Sequence, residues 1–537
     1  MTHLASEKPT RRRASTSGST HLILVILFSA LAAVPLLKPG YFWGAHDARH
    51  DVYFIFQYLR VMNDGHWLAR WSPEFSFGYG YPFFLIYGPL TSFLGALLVK
   101  FVGLGYTQAV ELLFGTAIIA SGLAMYGYVR SWLGRNAGLV AAVAYVFIPY
   151  RLVEVYVRAS LAEYVALIWL PLILWSVRAA FESTRQTDPS LSRSSFLAHH
   201  SSLIALLATA LTFAGLMLTS NLVALIFVPL LALYCLLLLL NRVNEEQPLR
   251  RLSKESLLPL IATLIRIGAA PAAGLFLGLL LSAFFWLPAL SEGALVNQDQ
   301  WYGGYYRPEL HFVYPNQLFA PDWGFGISQP GPDDAQQGAL SFQIGAAPLA
   351  LAILSLIGLR GLRSGRRREM MLLWLWLLLA VFLMLPISGW AWQHIGFVSF
   401  AQFPWRWLMI AALPLAVLAG SVALLRVDPL WTRKDDLTTD GEDRSNQSDQ
   451  SLNLSTVALA LLIILGSAAY VRAETPLPTP QQGPVSYAAL MRFEQSSNEM
   501  TGAPKWVDLS QRPMWSDMAE LYAVSYTHLT LPTSDLV

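Results

Sequence analysis

Apolar runs separated by short polar stretches make up most of this chain. They fall at about residues 21–38, 84–104, 109–129, 137–149, 161–177, 202–219, 222–241, 258–290, 344–359, 370–386, 407–425 and 454–471. Each approaches the roughly 20 residues that a helix needs to cross a bilayer, or fewer where the membrane adapts to it. The pattern predicts an all-α polytopic membrane protein. Two longer segments between runs, 39–108 and 291–343, are rich in aromatic residues. Residues 435–452, "DDLTTDGEDRSNQSDQSL", are polar and poor in aromatics and read as a solvated linker.

Loop charge sets the expected orientation, because basic residues stay on the cytoplasmic side. Basic clusters occur at Arg11–Arg13, Arg130/Arg135, Arg178/Arg185/Arg193, Arg250/Arg251/Lys254, Arg360–Arg368 and Arg426/Arg433/Lys434. The loop 291–343 instead sets Arg307 against Glu292, Asp299, Glu309, Asp322, Asp333 and Asp334. With the N-terminus in the cytoplasm, all basic clusters fall inside only if one run between residues 39 and 130 fails to cross. The run 84–104 is the best candidate, since it carries Gly88, Pro89 and Lys100. About eleven transmembrane helices are then expected, with juxtamembrane helices on the outer face.

The expected organisation follows from this count. Residues 1–20 are a cytoplasmic tail, 21–425 a transmembrane domain, 426–453 a cytoplasmic linker, 454–471 the last span and 472–523 an extracytoplasmic region. Residues 524–533, "VSYTHLTLPT", look like a translated sequencing adapter, so 524–537 is set aside as an expected artefact.

Composition agrees with the pattern. Hydrophobic residues make up 55% and charged residues 13%, against about 25% charged in soluble domains. A net charge of +2 points to no nucleic-acid partner. Cys235, the single cysteine, lies inside an apolar run, which excludes a disulfide framework and a thiolate metal site.

Candidate chemistry begins at "GAHDARHDVYFIFQYLRVMNDG", residues 44–65. Val52, Ile55, Leu59 and Met62 make one apolar stripe at helical spacing, while Asp47, Asp51, Phe54 and Tyr58 share another face. Asn63-Asp64-Gly65 supplies a stop. The segment reads as an amphipathic helix on the outer leaflet with two acids at its N-terminal end. Aspartate also caps helix N-termini, which is the plain structural reading of both acids. His46, Asp47 and His50 together offer mixed ligands for a divalent metal (Mg, Mn or Zn).

The stretch Asp47 to Leu90, with Arg70-Trp71, "FGYGYP" and "YGPL", resembles a bacterial multi-pass family labelled 6-pyruvoyl-tetrahydropterin synthase-related. "VEVYVRASLAE" (153–163), "LSAFFWLPAL" (281–290) and "FAQFPWRWL" (400–408) extend the resemblance. That family's architecture looks like the GT-C superfamily of glycosyltransferases, a helical bundle with a carboxylate in the first outer loop.

The resemblance implies a hexosyl- or pentosyltransferase in the bacterial plasma membrane. It would move a sugar from a polyprenyl-phosphate donor to a glycan, lipid or protein acceptor at the outer face. Asp47 and Asp51 are then the expected base, and Glu163 a third catalytic acid. Arg158 and Arg406 are expected at the phosphate, since arginine suits phosphate oxygens. Arg158 also stands four residues from Glu154, the spacing of a helical ion pair, and Arg406 also suits an interfacial anchor. Tyr79, Tyr81, Trp301, Trp323 and Gln343 are the expected substrate contacts, with aromatic faces and an amide suited to carbohydrate. His311 shows no partner and reads as a surface histidine. Two other classes fit the composition: a transporter or flippase for lipid-linked glycans, and a non-catalytic envelope-assembly protein.

Overall fold

The structure, a computed structural model, describes residues 16–183, 194–246, 257–296, 303–328, 331, 338–425, 451–479, 483–497 and 504–506. The basic N-terminal tail, Trp301, most of the linker 426–453 and the segment 524–537 lie outside the described residues.

α1 (Thr16–Ala33) rises to what is called here the upper end of the bundle, where α2 (Ala48–Asn63), α3 (Phe83–Ile86) and α4 (Leu90–Leu97) lie without crossing it. α5 (Tyr106–Leu133) descends. α6 (Arg135–Phe147) returns and bends by 46° into α7 (Pro149–Tyr156). α8 (Leu161–Ser183), α9 (Ser194–Thr219), α10 (Asn221–Glu246) and α11 (Leu257–Leu281) follow down, up, down and up, and α12 (Ala283–Glu292) leads into the long loop. α13 (Ala346–Gly358) descends and α14 (Ser364–Met384) ascends, turning through 89° near Pro386 toward α15 (Gly389–His394) and α16 (Gly396–Ser399). α17 (Trp407–Ser421) descends, α18 (Leu454–Ser467) ascends and α19 (Tyr487–Ser497) returns to α2. Cross-contacts fix these directions. Asn136 meets His21 at 3.0 Å and the Ser451 carbonyl at 3.0 Å at the lower end, while the Tyr156 hydroxyl reaches the Ala32 carbonyl at the upper end.

Seven of these helices are long and apolar enough to cross a membrane, or nine if each bent pair counts as one span. The segments Ala346–Gly361 and Leu454–Tyr470 are apolar but shorter, so a count of eleven needs both of them as well. The run 84–104 does not form a long helix. It breaks at Tyr87–Pro89, and α4 ends in a widened turn over Leu98–Val102 and a left-handed Gly103 (φ 78°). α17 is buried along its whole length and forms the axis. α1, α9, α11 and α13 expose leucine and isoleucine outward, among them Ile23, Leu27, Ile204, Leu211, Ile265 and Ile357. Such a belt fits hydrocarbon rather than water.

Arg130, Arg135, Arg178, Arg242, Arg363 and Arg366–Arg368 stand at the lower helix ends. Asp47, Asp51, Glu154 and Glu163 stand at the upper end. The charge asymmetry in sequence is therefore an asymmetry in space.

The expected stripe on α2 is confirmed, with Val52, Ile55, Leu59 and Met62 all buried. The expected resting place is corrected. α2 is not a surface helix: Asp51, Phe54, Gln57 and Tyr58 are buried too. The turn 72–87 covers one flank, with Phe75 and Tyr87 on Phe54. α19 covers another, where Phe493 packs on His50 and Tyr53 and the Arg49 guanidinium sits 4.5 Å from the Phe493 ring.

Candidate active site

The site is built where the entry to α2 meets the break between α7 and α8. The helix breaks because Ala159 takes a left-handed φ of 51°, a strained conformation for a residue with a Cβ. Its backbone is held by the Arg158 N–H donating to the Val153 carbonyl (2.8 Å) and the Ser160 N–H to the Glu154 carbonyl (3.0 Å). The carbonyls of Val157 and Arg158 then accept from the N–H groups of His46 (3.0 Å) and Asp47 (2.7 Å). These two bonds join the first loop to the start of α8, across more than a hundred residues of chain.

Asp47 is the N-cap residue of α2, yet its side chain makes no capping hydrogen bond. Its carboxylate is half-buried and does not take the capping role open to it from sequence. Asp51, one turn on, is buried, and its Oδ2 has no hydrogen-bond partner. Burial, with the Asp47 charge beside it, holds the Asp51 carboxyl well above the usual range, eased by the Leu161 backbone. Asp51 is thus the more deeply buried of the two acids, and Asp47 the one closer to the surface.

Opposite lies a chain of alternating charge. Arg158 Nη1 donates to both oxygens of Glu154 (2.6 and 2.7 Å) and to Glu163 Oε2 (2.6 Å). The other oxygen of Glu163 pairs with Arg406 Nη2 at 3.0 Å. Arg406 Nη1 donates to Gln402 Oε1 (2.6 Å) and the Ala401 carbonyl (3.2 Å), while its Nε is buried without a partner. Trp405 stacks beneath both guanidinium groups, 4.7 Å from Arg158 and 5.7 Å from Arg406. Gln402, like Ala159, has a left-handed φ (59°). Arg158 therefore forms the ion pair that its spacing from Glu154 allows and faces two carboxylates, whereas Arg406 faces one.

Tyr87 ties the two halves together. Its ring packs 5.4 Å from Phe54, on the face of α2 that carries both aspartates. Burial holds its phenol well above the usual range, and Asp51, Asp47 and Glu163 add to the shift while Arg406 opposes it. One side chain thus lies within electrostatic reach of four charged residues from three distant parts of the sequence. The "YGPL" motif contains Tyr87, but nothing local to it points at the acids.

The remaining candidates divide. The His46 ring meets the Phe325 carbonyl (Nε2 to O, 3.2 Å), which brings the long loop over the start of α2. Burial lowers the His46 pKa, and the Asp47 charge beside it opposes the shift. His50 packs edge-on against Phe493. Among the described residues no group of three or more His, Cys, Asp or Glu side chains is placed to hold a metal ion. His46, Asp47 and His50 do not fit a divalent ion as they stand.

Trp323 packs on Tyr470 (5.2 Å) and Phe325 (6.5 Å), with a buried, unpaired Nε1. Gln343 is bonded to the Ala320 carbonyl and to the Tyr470 hydroxyl (2.7 Å), a structural use of its amide. Tyr79 is exposed and Tyr81 buried. His311 is not a surface residue: it is buried, with Nδ1 2.8 Å from Ser328 Oγ and Nε2 on the Tyr305 carbonyl. Its partners lie six and seventeen residues away in a loop without a period, so no sequence spacing announces them.

No family model matches the chain. An uncharacterized protein of Lactococcus lactis subsp. cremoris (strain MG1363) is 23% identical over 239 residues, covering 42% of this chain and 35% of its own length. The chain is also similar to the solved arabinofuranosyltransferase AftD from Mycobacteria, at 16% identity and a TM-score of 0.45, over 92% of this chain and 29% of that one. A third likeness is to ArnT from Cupriavidus metallidurans bound to undecaprenyl phosphate, at 13% identity and a TM-score of 0.30, over 76% and 78% of the two chains. The chain spans about a third of the length of the lactococcal protein and somewhat less of the mycobacterial one.

Proposed function

We propose that this chain is a GT-C-type membrane glycosyltransferase that moves a hexosyl or pentosyl group from a polyprenyl-phosphate donor to an acceptor hydroxyl. The upper end of the bundle is the outer face of a bacterial plasma membrane. One observation carries the reading: Asp47, whose carboxylate does not cap its helix, is bonded through its backbone N–H to the Arg158 carbonyl (2.7 Å), and Arg158 shares Glu163 with Arg406, whose Nε has no partner.

The chemistry balances with these groups. Asp47 takes the proton of the acceptor hydroxyl as its oxygen attacks the anomeric carbon. The bond from that carbon to the phosphate oxygen breaks, and its electron pair leaves with the lipid phosphate. Arg406 meets the charge that develops there. Arg158 holds Glu163 in place rather than meeting the phosphate, because the two carboxylates of Glu154 and Glu163 already face its charge. The transporter reading calls for charges near the midplane, whereas the acids described here gather at one end.

The test is turnover of a polyprenyl-phosphate sugar by the purified protein. Asp47→Asn should lose on the order of 10²–10⁴-fold in rate, the range of general-base catalysis. Equal turnover by wild type and Asp47→Asn would remove Asp47 from this role.

A further inference from the structure

The lower end of the bundle carries an arrangement that the reaction above does not use. α14 begins at Ser364 with no side-chain cap from Arg363. The Arg367 N–H is the one that bonds back to Arg363, at 3.0 Å. The first-turn N–H groups before it lack an intrahelical acceptor and carry the positive end of the helix dipole.

Over this turn lies Asn241, at the end of α10 and only 8% exposed. Arg368 Nη1 donates to Asn241 Oδ1 at 2.8 Å. A guanidinium can only donate, so the amide cannot be flipped, and its Nδ2 is directed elsewhere. That nitrogen is buried and has no partner. A Cβ on Gly365 would stand 3.9 Å from it, so the unpaired donor rests against the first turn of α14.

The next residue on α10, Arg242, gives Nη1 to Glu245 (2.8 Å) but leaves Nε and Nη2 buried and unpaired. The nearby carboxylate of Glu369 is taken by Arg178. Arg366 and Arg367 are exposed at the same helix start. The unsatisfied groups are therefore all donors, which calls for a ligand that only accepts.

We propose that this notch between α10 and α14 binds the phosphodiester of an anionic membrane lipid. Phosphate oxygens suit a helix N-terminus flanked by guanidinium and amide donors. A lipid fits better than a free anion because the same two helices present apolar flanks directly above the notch. Leu236, Met371, Leu375 and Leu378 are each at least half exposed there, a surface for acyl chains. The site stands apart from the acids at the upper end and does not depend on their chemistry.

The experiment is native mass spectrometry of the full chain in uncharged detergent. It is titrated with dioleoylphosphatidylglycerol, with dioleoylglycerol (which lacks the phosphate) and with inorganic phosphate. The wild type should hold phosphatidylglycerol about tenfold better than dioleoylglycerol, and Asn241→Leu or Arg242→Gln should cut that retention about fivefold. Arg130→Gln, at the same end but away from the notch, should not change it. Should Asn241→Leu fail to fold, the exposed Arg366→Gln reads the same loss. Equal retention of the two lipids, or phosphatidylglycerol binding untouched by these substitutions, would overturn the site. Displacement of phosphatidylglycerol by millimolar inorganic phosphate would overturn its assignment to a lipid.

Discussion

Glu163 is the side chain on which the charge balance of the upper site turns, since it touches both arginines. In Glu163→Gln, Arg158 keeps Glu154 but Arg406 loses its carboxylate. Leaving a buried ion without its partner costs about 3–5 kcal/mol, so this variant should melt at a clearly lower temperature as well as lose activity. An unchanged melting curve would show that the pair does not hold the site. Glu494 gives a second test at this scale. Its carboxylate accepts from the N–H groups of Ser76 (2.9 Å) and Phe77 (2.7 Å), both in left-handed backbone (φ 57° and 58°). Burial pushes its carboxyl from 4.5 up to about 7. Between those two pH values the folded chain keeps a proton that the unfolded chain has released, so stability falls as pH rises through the window. Melting temperatures of Glu494→Gln at pH 5 and pH 7 should differ less than those of the wild type; an equal difference would mean another group titrates. Of the charged pairs, Glu154–Arg158 was legible from its spacing of four. Glu163–Arg406 was not, because its members stand 243 residues apart.

Among the elements, the short segment around α3 and α4 shows how a local break serves the site. Gly88 lies so close to the turn between α9 and α10 that a Cβ there would stand 2.4 Å from the Thr219 carbonyl oxygen. The Asn221 side chain pins the same loop by donating to the Ile86 carbonyl at 3.1 Å. This docking holds the Tyr87 ring against Phe54 and Phe83. Gly88→Ala should therefore cost about 1–3 kcal/mol from overpacking and lower turnover by moving Tyr87. Full activity in that variant would separate the loop from the site. The break in the run 84–104 was legible in Gly88 and Pro89, since these interrupt a helix. The burial of α2 was not, because the segments that cover it come from 72–87 and from α19, far along the chain.

The whole molecule is an asymmetric bundle: the lower end carries arginines at Arg130, Arg135, Arg178, Arg242, Arg363 and Arg366–Arg368, and the upper end carries Asp47, Asp51, Glu154 and Glu163 together with the aromatic loops. The bias of basic loops predicts that the arginine end faces the cytoplasm. A membrane-impermeant maleimide applied to intact spheroplasts should label Tyr79→Cys, which is exposed at the upper end. It should label Ser364→Cys, at the lower end, only after lysis. The native Cys235, half-buried within α10, supplies the background control. The reverse labelling would place the acids inside and remove an outer-face reaction.

The sequence by itself determined the helical bundle, its alternation, the end of each helix that carries charge, and the apolar stripe of α2. These follow from local composition and period, which a linear string preserves. The tertiary structure alone decided that the Asp47 backbone bonds to Arg158, that Arg158 and Arg406 both pair with Glu163, that His311 is buried against Ser328, and that the Gln343 amide meets Tyr470. Each of those outcomes is a pairing between distant or aperiodic positions, fixed by backbone bonds and packing that only closure of the bundle creates.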